Sequence, residues 1–313
     1  MARWINVATI HFQVTESGGE PLDMALRQFH EARTMLDGTP VDLVVTCEGM
    51  ESIARRSGSP AESQDKPGAL WSAYRAFARD NRCTLAGSLV LQEEGKDYNA
   101  LVFFGPDGRP CGAYRKTFLT LEELEGGLSP GRGATVVETP AGRLGGAICF
   151  DLNFDDLRDG YRRLQPDVLC FASMFHGGHL QKNWAYQCRC FFAAACKDNT
   201  SDILDPLGRV LNSTNYYNRV AWARVNLDRF AMHQDQNNRR YAQIRRKYGG
   251  RVVIETAPDL GTAVLYSLDE SLTAAQIAAE FGLQQIDDYF DRSRQANRQA
   301  GAAVPAPALN PPT

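Results

Sequence analysis

Long apolar runs are missing from this sequence. No stretch approaches the roughly 20 apolar residues that a membrane-spanning helix needs. The first residues, MARWINVATIHFQV, also lack the basic region and the long apolar core of a secretory signal peptide. We therefore expect a cytoplasmic protein that has no membrane partner.

Blocks of positive charge are missing as well. The 34 lysines and arginines are balanced by 37 aspartates and glutamates, so the formal net charge is −3. This balance argues against nucleic acid as a partner, because surfaces that bind nucleic acid carry clustered basic residues. No glycine-rich phosphate-binding motif of the GxGxxG or Walker type occurs, so nucleotide binding has no support.

Spacings typical of metal sites are absent too. The eight cysteines form no CxxC motif and no cysteine–histidine pair at zinc spacing. The CRC triplet at 188–190 is a weak metal signal. The HGGH segment at 176–179 is a stronger one, but its two glycines favour a loop over a helix that would present ligands. Most cysteines lie in apolar segments of a long chain, so we expect reduced thiols rather than a disulfide framework. We expect no metal and no cofactor.

The sequence does contain an alternation of strand and helix patterns. Its 43% of hydrophobic residues is enough for a substantial core. Short apolar strands alternate with amphipathic helices, which are predicted over about 21–36, 67–82, 154–164 and 181–192. Two hairpins, turned by the tripeptides PDG at 106–108 and PLG at 206–208, interrupt this alternation. The mixture predicts a layered α/β domain with mixed sheets.

Three of the predicted strands end in a residue that can react. Glu48 follows DLVVTC, Lys116 ends GAYRK, and Cys149 ends LGGAIC. In α/β sheets, the carboxyl ends of strands are where ligands bind. A thiol becomes a good nucleophile when a base such as a carboxylate removes its proton. A lysine ammonium and the amide of Phe150 could stabilise the oxyanion of a tetrahedral intermediate, so the three residues form a set for acyl transfer.

The same segments resemble the motifs of a known family, the nitrilase (carbon–nitrogen hydrolase) superfamily. The similarity lies in the order and local sequence of LVVTCEG, YNALVFFGPDGRPCGAYRKTFL and GGAICFDLNF. Further similar segments are LSPG at 128–131 and ILDPLGRVL, and the resemblance covers about residues 5–230.

The resemblance implies a particular fold. It is a four-layer α-β-β-α sandwich with mixed sheets, which we expect over residues 1–270. A C-terminal helical extension is expected over 271–300. The last residues, 301–313, are rich in alanine and proline and are predicted to be a disordered tail.

The resemblance also implies roles for individual residues. Glu48, Lys116 and Cys149 would form the catalytic triad. A second glutamate, which would hold the lysine, is expected at Glu123, and Glu122 is the alternative if the register differs by one residue.

The residues after the cysteine indicate the branch of the family. Nitrile-cleaving members tend to have Trp-Glu after the cysteine, whereas this chain has Phe150-Asp151, which looks like the amidase and carbamoylase branches. NFDD at 153–156 replaces the more usual R-F-P-E, which predicts an unusual substrate preference. We therefore predict hydrolysis of a small amide or N-carbamoyl compound through a thioester on Cys149. Substrate contacts are predicted at Phe150, Asn153, Phe175 and His176.

Other functions remain open at this point. The chain could be a nitrile-hydrolysing nitrilase or a non-catalytic binding member of the same fold. A cysteine–histidine hydrolase would need a partner for Cys149 among the five histidines, none of which stands in a recognisable motif. For His176, a loop histidine bonded to the backbone is the alternative to a substrate contact.

We also expect a homodimer or a larger homo-oligomer. In the predicted helix NWAYQCRCFF, Trp184, Cys188 and Phe191 form one apolar stripe, and apolar residues off this stripe need cover as well. The polar segment 230–250 carries scattered apolar residues, and we expect it to reach onto a partner subunit. The other expected partner is the small-molecule amide or carbamoyl substrate.

Overall fold

The computed structural model describes residues 1–12, 21–49, 61–197, 200–257, 259–301 and 303. The chain divides into two compact units. The larger unit spans Trp4–Leu227, and the smaller one combines residues 1–3 with the chain from Asp228 onward. None of the helices in the described part has the length and apolar character that a bilayer crossing requires.

The larger unit is built on two six-stranded sheets. Its strands are β1 (Trp4–Ile10), β2 (Leu43–Val45), β3 (Thr84–Glu93), β4 (Lys96–Phe104), β5 (Pro110–Arg115), β6 (Val136–Thr139), β7 (Gly142–Ile148), β8 (Val168–Ser173), β9 (Phe191–Cys196), β10 (Asp202–Leu204), β11 (Val210–Ser213) and β12 (Val220–Asn226). The strand order is β12-β1-β2-β3-β4-β5 in the first sheet and β11-β10-β9-β8-β7-β6 in the second.

Each sheet has a parallel centre and antiparallel edges. Strands β1, β2 and β3 are parallel, as are β7, β8 and β9, and every other pairing in the two sheets is antiparallel. The sheets pack face to face, with β1 against β9 and β2 against β8 and β9. The central strands read as continuous apolar runs because both of their faces are covered.

The helices of this unit are α1 (Pro21–Met35), α2 (Ala69–Asn81), α3 (Leu121–Glu125), α4 (Asp155–Leu164) and α5 (His179–Cys188). The four longer ones cover the outer faces of the two sheets, whereas no residue of the five-residue α3 is buried. Helix α2 packs on β3, and Phe29 of α1 contacts the rings of Tyr74 and Phe77 on α2. On the other side, α4 packs against α5, and α5 packs on β9. The prediction of an α/β sandwich with mixed sheets is confirmed.

One predicted element in this unit is wrong. The helix expected over 181–192 ends at Cys188, because Arg189 adopts a left-handed conformation with φ of 55°. The chain then turns directly into β9, whose six residues are all buried between β8 and β10. An apolar run such as FFAAAC suits a buried central strand as well as a helix, which is why its pattern misled the prediction.

The smaller unit has a sheet and a core of its own. Its elements are β13 (Arg229–His233), α6 (Tyr241–Tyr248), β14 (Val252–Thr256), β15 (Thr262–Ser267), α7 (Ala274–Glu280) and α8 (Ile286–Gln299). The strands form an antiparallel sheet in the order β13-β15-β14. Tyr241, Ile244 and Tyr248 are buried in the core of this unit, together with Met232 and Leu265.

Two of the arguments for a partner subunit are therefore wrong. The apolar residues of segment 230–250 are buried or partly buried within their own chain. So is the stripe on α5, where Trp184 and Cys188 are buried and Phe191 belongs to β9. The predicted boundaries at 270 and 300 stay predictions. The predicted tail lies almost entirely outside the described residues.

Candidate active site

Lys116 lies between two carboxylates at the end of β5. Its Nζ donates to Glu48 Oε1 at 3.1 Å and to Glu123 at 2.9 Å, and its side chain is only 1% exposed. Asn99 on β4 joins the same two carboxylates, because its Nδ2 donates to Glu48 Oε1 at 2.8 Å and to Glu123 Oε1 at 2.9 Å. The structure thus brings together Glu48, Lys116 and Glu123.

The charges of this cluster hold the lysine in its ionised form. Burial lowers the pKa of Lys116, but the neighbouring Glu48 and Glu123 carboxylates raise it more, so the pKa lies above its usual range. Burial raises the pKa of Glu123, but Lys116 and the hydrogen bonds from Thr120 and Asn99 outweigh it and lower the pKa. At neutral pH Lys116 is therefore a fixed ammonium that can stabilise negative charge.

Cys149 stands at the tip of β7 in a strained backbone conformation. It begins a short 3₁₀ helix, Cys149–Asn153, and has φ of 47°, which a residue with a side chain seldom adopts. The Glu48 carboxylate, the charge of Lys116 and the Met174 N–H all act on the pKa of its thiol. Strain of this kind clusters at functional sites, where the surrounding contacts compensate for it.

The resting thiol carries its proton. Burial raises the pKa of Cys149 to about 12, and the charge and hydrogen bond of Glu48 add to this effect. Lys116 and the Met174 N–H act in the opposite direction without reversing the shift. The sulfur becomes a thiolate only when a base takes its proton, and the neighbouring Glu48 carboxylate can act as that base.

Asp151 ties the turn at Cys149 to the strand that carries Lys116. Its buried carboxylate accepts from the Tyr114 hydroxyl at 2.7 Å, the Phe118 N–H at 2.8 Å and the Ile148 N–H at 2.9 Å. Tyr114 lies on β5, two residues before Lys116, and Ile148 directly precedes Cys149. The carboxylate therefore fixes the distance between the ends of β5 and β7.

A glycine allows these two strands to approach. A Cβ atom on Gly146 of β7 would lie 2.5 Å from Tyr114 Cβ and 2.6 Å from its Cγ. Any side chain there would push β7 away from β5, and with it the sulfur from the ammonium.

A carbon-nitrogen hydrolase family model matches residues 27–231, which is more than half of the 313 residues. The chain belongs to the carbon–nitrogen hydrolase family. The expected membership of the nitrilase superfamily is thereby confirmed.

Relatives of the chain agree with this assignment. The omega-amidase NIT2 of Danio rerio is 27% identical over 172 residues, which are 47% of this chain and 62% of that protein. A protein named hydrolase C26A3.11 from Schizosaccharomyces pombe is 26% identical over 191 residues, 53% of this chain and 59% of the relative. The chain thus spans about three fifths of the length of these relatives.

A solved structure shows the same fold. Nit3 of Saccharomyces cerevisiae, described as a member of branch 10 of the nitrilase superfamily, superposes with a TM-score of 0.60 at 21% identity. The superposition covers 71% of this chain and 90% of Nit3. The four-layer sandwich expected from the resemblance is the fold of this chain.

The residues predicted to contact substrate lie on two segments beside Cys149. Phe150 and Asn153 belong to the 3₁₀ turn, where Asn153 Nδ2 donates to the Phe150 carbonyl at 2.9 Å. Phe175 and His176 follow β8, and the Phe175 side chain is 39% exposed.

Both ring nitrogens of His176 are engaged by the protein. Nε2 lies 2.9 Å from Asp202 Oδ2, and Nδ1 accepts the Gly178 N–H at 3.1 Å. An Nδ1 that accepts a hydrogen bond leaves the proton on Nε2, so the imidazole donates to Asp202. The alternative prediction, a loop histidine bonded to the backbone, agrees with the contact to the Gly178 N–H. The contact with Asp202 was not predicted.

Sequence reasoning missed three residues of the site. Asn99 and Met174 bond Glu48, and Asp151 anchors the cysteine turn. The polar Asn99 just before the apolar run ALVFF could have indicated a site residue. The Met174 contact uses only the backbone N–H, so the sequence carries no signal for it.

Within the described ranges, no three His, Cys, Asp or Glu side chains lie close enough together to hold a metal ion.

Proposed function

We propose that this carbon–nitrogen hydrolase cleaves a non-peptide C–N bond of a small amide or N-carbamoyl compound through a thioester on Cys149. The observation that carries the proposal is the ion-paired set of Glu48, Lys116 and Glu123 near the Cys149 thiol, whose pKa responds to Glu48 and Lys116. It provides a base, a fixed cation and a nucleophile in one place, which acyl transfer requires.

In the first half of the reaction, Glu48 takes the thiol proton as the sulfur attacks the carbonyl carbon. The oxygen becomes an oxyanion, which Lys116 and the Phe150 N–H stabilise. The C–N bond then breaks, Glu48 returns the proton to the nitrogen, and ammonia or an amine leaves. The acyl group remains on Cys149 as a thioester.

In the second half, water cleaves the thioester. Glu48 takes a proton from the attacking water, the tetrahedral intermediate again places its oxyanion by Lys116, and the C–S bond breaks. The proton held by Glu48 restores the thiol, and the carboxylic or carbamic acid product leaves. Glu123 positions Lys116 through both halves and touches no reacting atom.

The comparisons support an amide substrate. The relative from Danio rerio is named an omega-amidase. Labelling Cys149 with a thiol reagent while ammonia release is measured over a panel of amides tests the proposal. Ammonia release that stops as Cys149 is labelled supports it. A folded protein that binds amides without turnover would instead be a non-catalytic binding member.

Amides are expected to be better substrates than nitriles. Phe150-Asp151 after the cysteine differs from the Trp-Glu of nitrile-cleaving members, and this motivates the prediction. Steady-state rates on matched pairs of nitrile and amide with the same carbon skeleton check it. A nitrile that is converted to its acid faster than the corresponding amide would favour the nitrilase alternative.

Glu123→Gln is expected to lower kcat by about 10²-fold or more, because Lys116 would lose one of its two ionic partners. Glu122→Gln is the matched control, since Glu122 is exposed on the same helix α3 and activity should stay near that of the unaltered protein. The two kcat values decide the register. An inactive Glu122→Gln beside an active Glu123→Gln would show that the neighbouring glutamate holds the lysine.

We also propose that the protein is a homodimer or a larger homo-oligomer. The argument now rests on the resemblance to the superfamily, because the apolar stripes first thought to need a partner are covered within the chain. An obligate dimer would bury about 2,000 Å² or more in total. Sedimentation equilibrium at sub-micromolar concentration checks it, and a fully active species of 34.6 kDa would show that the monomer suffices.

A further inference from the structure

Three phenylalanines cluster around the turn that begins at Cys149. The rings of Phe118 and Phe154 stack with centroids 3.8 Å apart and planes at 8°, and Phe150 meets Phe154 edge-on at 5.2 Å. The Phe118 N–H donates to Asp151, which fixes the stack to the turn. All three rings are only partly buried, although phenylalanine is among the residues most often fully buried.

Two more apolar side chains lie on the segment that follows β8 and approaches the thiol and Glu48. The Met174 N–H donates to Glu48 Oε2 at 3.1 Å, and it lowers the pKa of the Cys149 thiol. Met174 and Phe175 are 36% and 39% exposed. The nucleophile therefore has partly exposed apolar groups on both of the chain segments that flank it.

The segment that carries Met174 and Phe175 is held in place by buried groups. The His176 ring donates to Asp202, and the Asp202 carboxylate also accepts from the Ser213 hydroxyl. The side-chain amide of Gln181, itself buried, donates to the His176 carbonyl. Phe175 is thus presented by an anchored loop, which lowers the entropy lost when a substrate packs against it.

The charge of the site disfavours an anionic substrate. Glu48 and Glu123 contribute two negative charges and Lys116 one positive charge, so the cluster sums to −1 with the thiol protonated. Lys116 is already bonded to both carboxylates and has no spare charge for a carboxylate on the substrate.

We propose, building on the function proposed above, that the substrate is an uncharged amide or carbamoyl compound with an apolar group beside the scissile bond. Phe118, Phe150 and Phe154 would cover one part of this group, and Met174 and Phe175 the other. Each methylene buried against these side chains should raise kcat/KM by about threefold to fourfold, the factor that corresponds to its transfer from water.

A substrate series tests the proposal directly. We expect kcat/KM to rise from acetamide through propionamide, butyramide and hexanamide, and to be high for 3-phenylpropionamide. Succinamate and 3-aminopropionamide, which carry a negative and a positive charge at the length of butyramide, should be at least about tenfold poorer than butyramide because apolar side chains cannot solvate their charge. For 3-aminopropionamide, we expect this cost to exceed the attraction of the cluster's charge of −1. A flat or falling series, or a preference for either charged amide, would overturn the proposal.

Variants of Phe175 test the assigned contact. Phe175→Asn should lower the ratio of kcat/KM for 3-phenylpropionamide over acetamide by about tenfold, because it replaces apolar surface by an amide. Phe175→Leu should keep most of that ratio. Tyr217→Ala is the control, since Tyr217 is 91% exposed on the turn before β12 and should leave the ratio unchanged.

A second variant keeps the test possible if the first one misfolds. If circular dichroism shows that Phe175→Asn is unfolded, the same ratio of kcat/KM is measured for Met174→Gln, which changes the neighbouring side chain. Unchanged ratios in the folded variants of both residues would overturn the assigned contact. Turnover that depends on Cys149 but is fastest on acetamide or succinamate overturns the substrate class alone. A lack of turnover on every amide would overturn the proposed function as well.

Discussion

Cys149→Ala is expected to abolish turnover, with a loss of kcat on the order of 10⁴-fold to 10⁶-fold. Removal of the nucleophile deletes the thioester pathway, and the remaining contacts can supply only the small residual catalysis that binding and oxyanion stabilisation give. Stopped assays of ammonia release measure the loss. Intact-mass spectrometry should show an acyl adduct on the unaltered protein during turnover and none on the variant.

The other cysteines provide matched controls for this experiment. Cys170 is fully buried on β8, and Cys170→Ala should retain activity while lowering the free energy of unfolding by about 1 kcal/mol. Cys111 is exposed, so labelling is best done in a Cys111→Ser background, where Cys149 is the remaining partly exposed thiol of the eight. Turnover by Cys149→Ala above one per cent of the unaltered rate would contradict the assignment of the nucleophile.

Glu48→Gln is expected to separate amide hydrolysis from thiol reactivity. Loss of the base should lower kcat by at least about 10²-fold. The pKa of the thiol should fall at the same time. Burial raises this pKa most, but Glu48 raises it further, and the variant removes that contribution. A lower pKa means more thiolate at neutral pH, so methyl methanethiosulfonate should react with Cys149 faster in the variant than in the unaltered protein.

The pH profile of that reaction gives the sign of the effect. With a thiol pKa of about 12, the rate for the unaltered protein should still rise with pH above pH 9. The profile of Glu48→Gln should be shifted to lower pH, and that of the exposed control Glu122→Gln should not move. If hydrolysis and thiol modification both slow down in Glu48→Gln, Glu48 maintains the structure of the site and is not its base.

The candidate site illustrates what an amino-acid pattern can predict. Glu48, Lys116 and Cys149 stood out because each lies at or just after the end of a short strand. Such strands can be recognised from the pattern of neighbouring residues alone. The structure places Glu123 rather than Glu122 on the lysine, as the matched motif suggested. The hydrogen-bond partners of the triad that have no local sequence signature were missed. The clearest case is the Met174 N–H, a backbone group that a residue of almost any type could provide.

The sequence by itself determined the fold class, the family and the strand ends that carry the reactive groups. It also contained Gly146, where any larger residue would displace Tyr114. The tertiary structure alone decided that FFAAAC is a central strand, that the apolar residues of α6 are covered in their own chain, and that His176 is bonded to Asp202. The physical reason is the same in the three cases. An apolar run or a histidine can satisfy its burial or hydrogen bonds with many partners, and only contacts between residues distant in sequence select one of them.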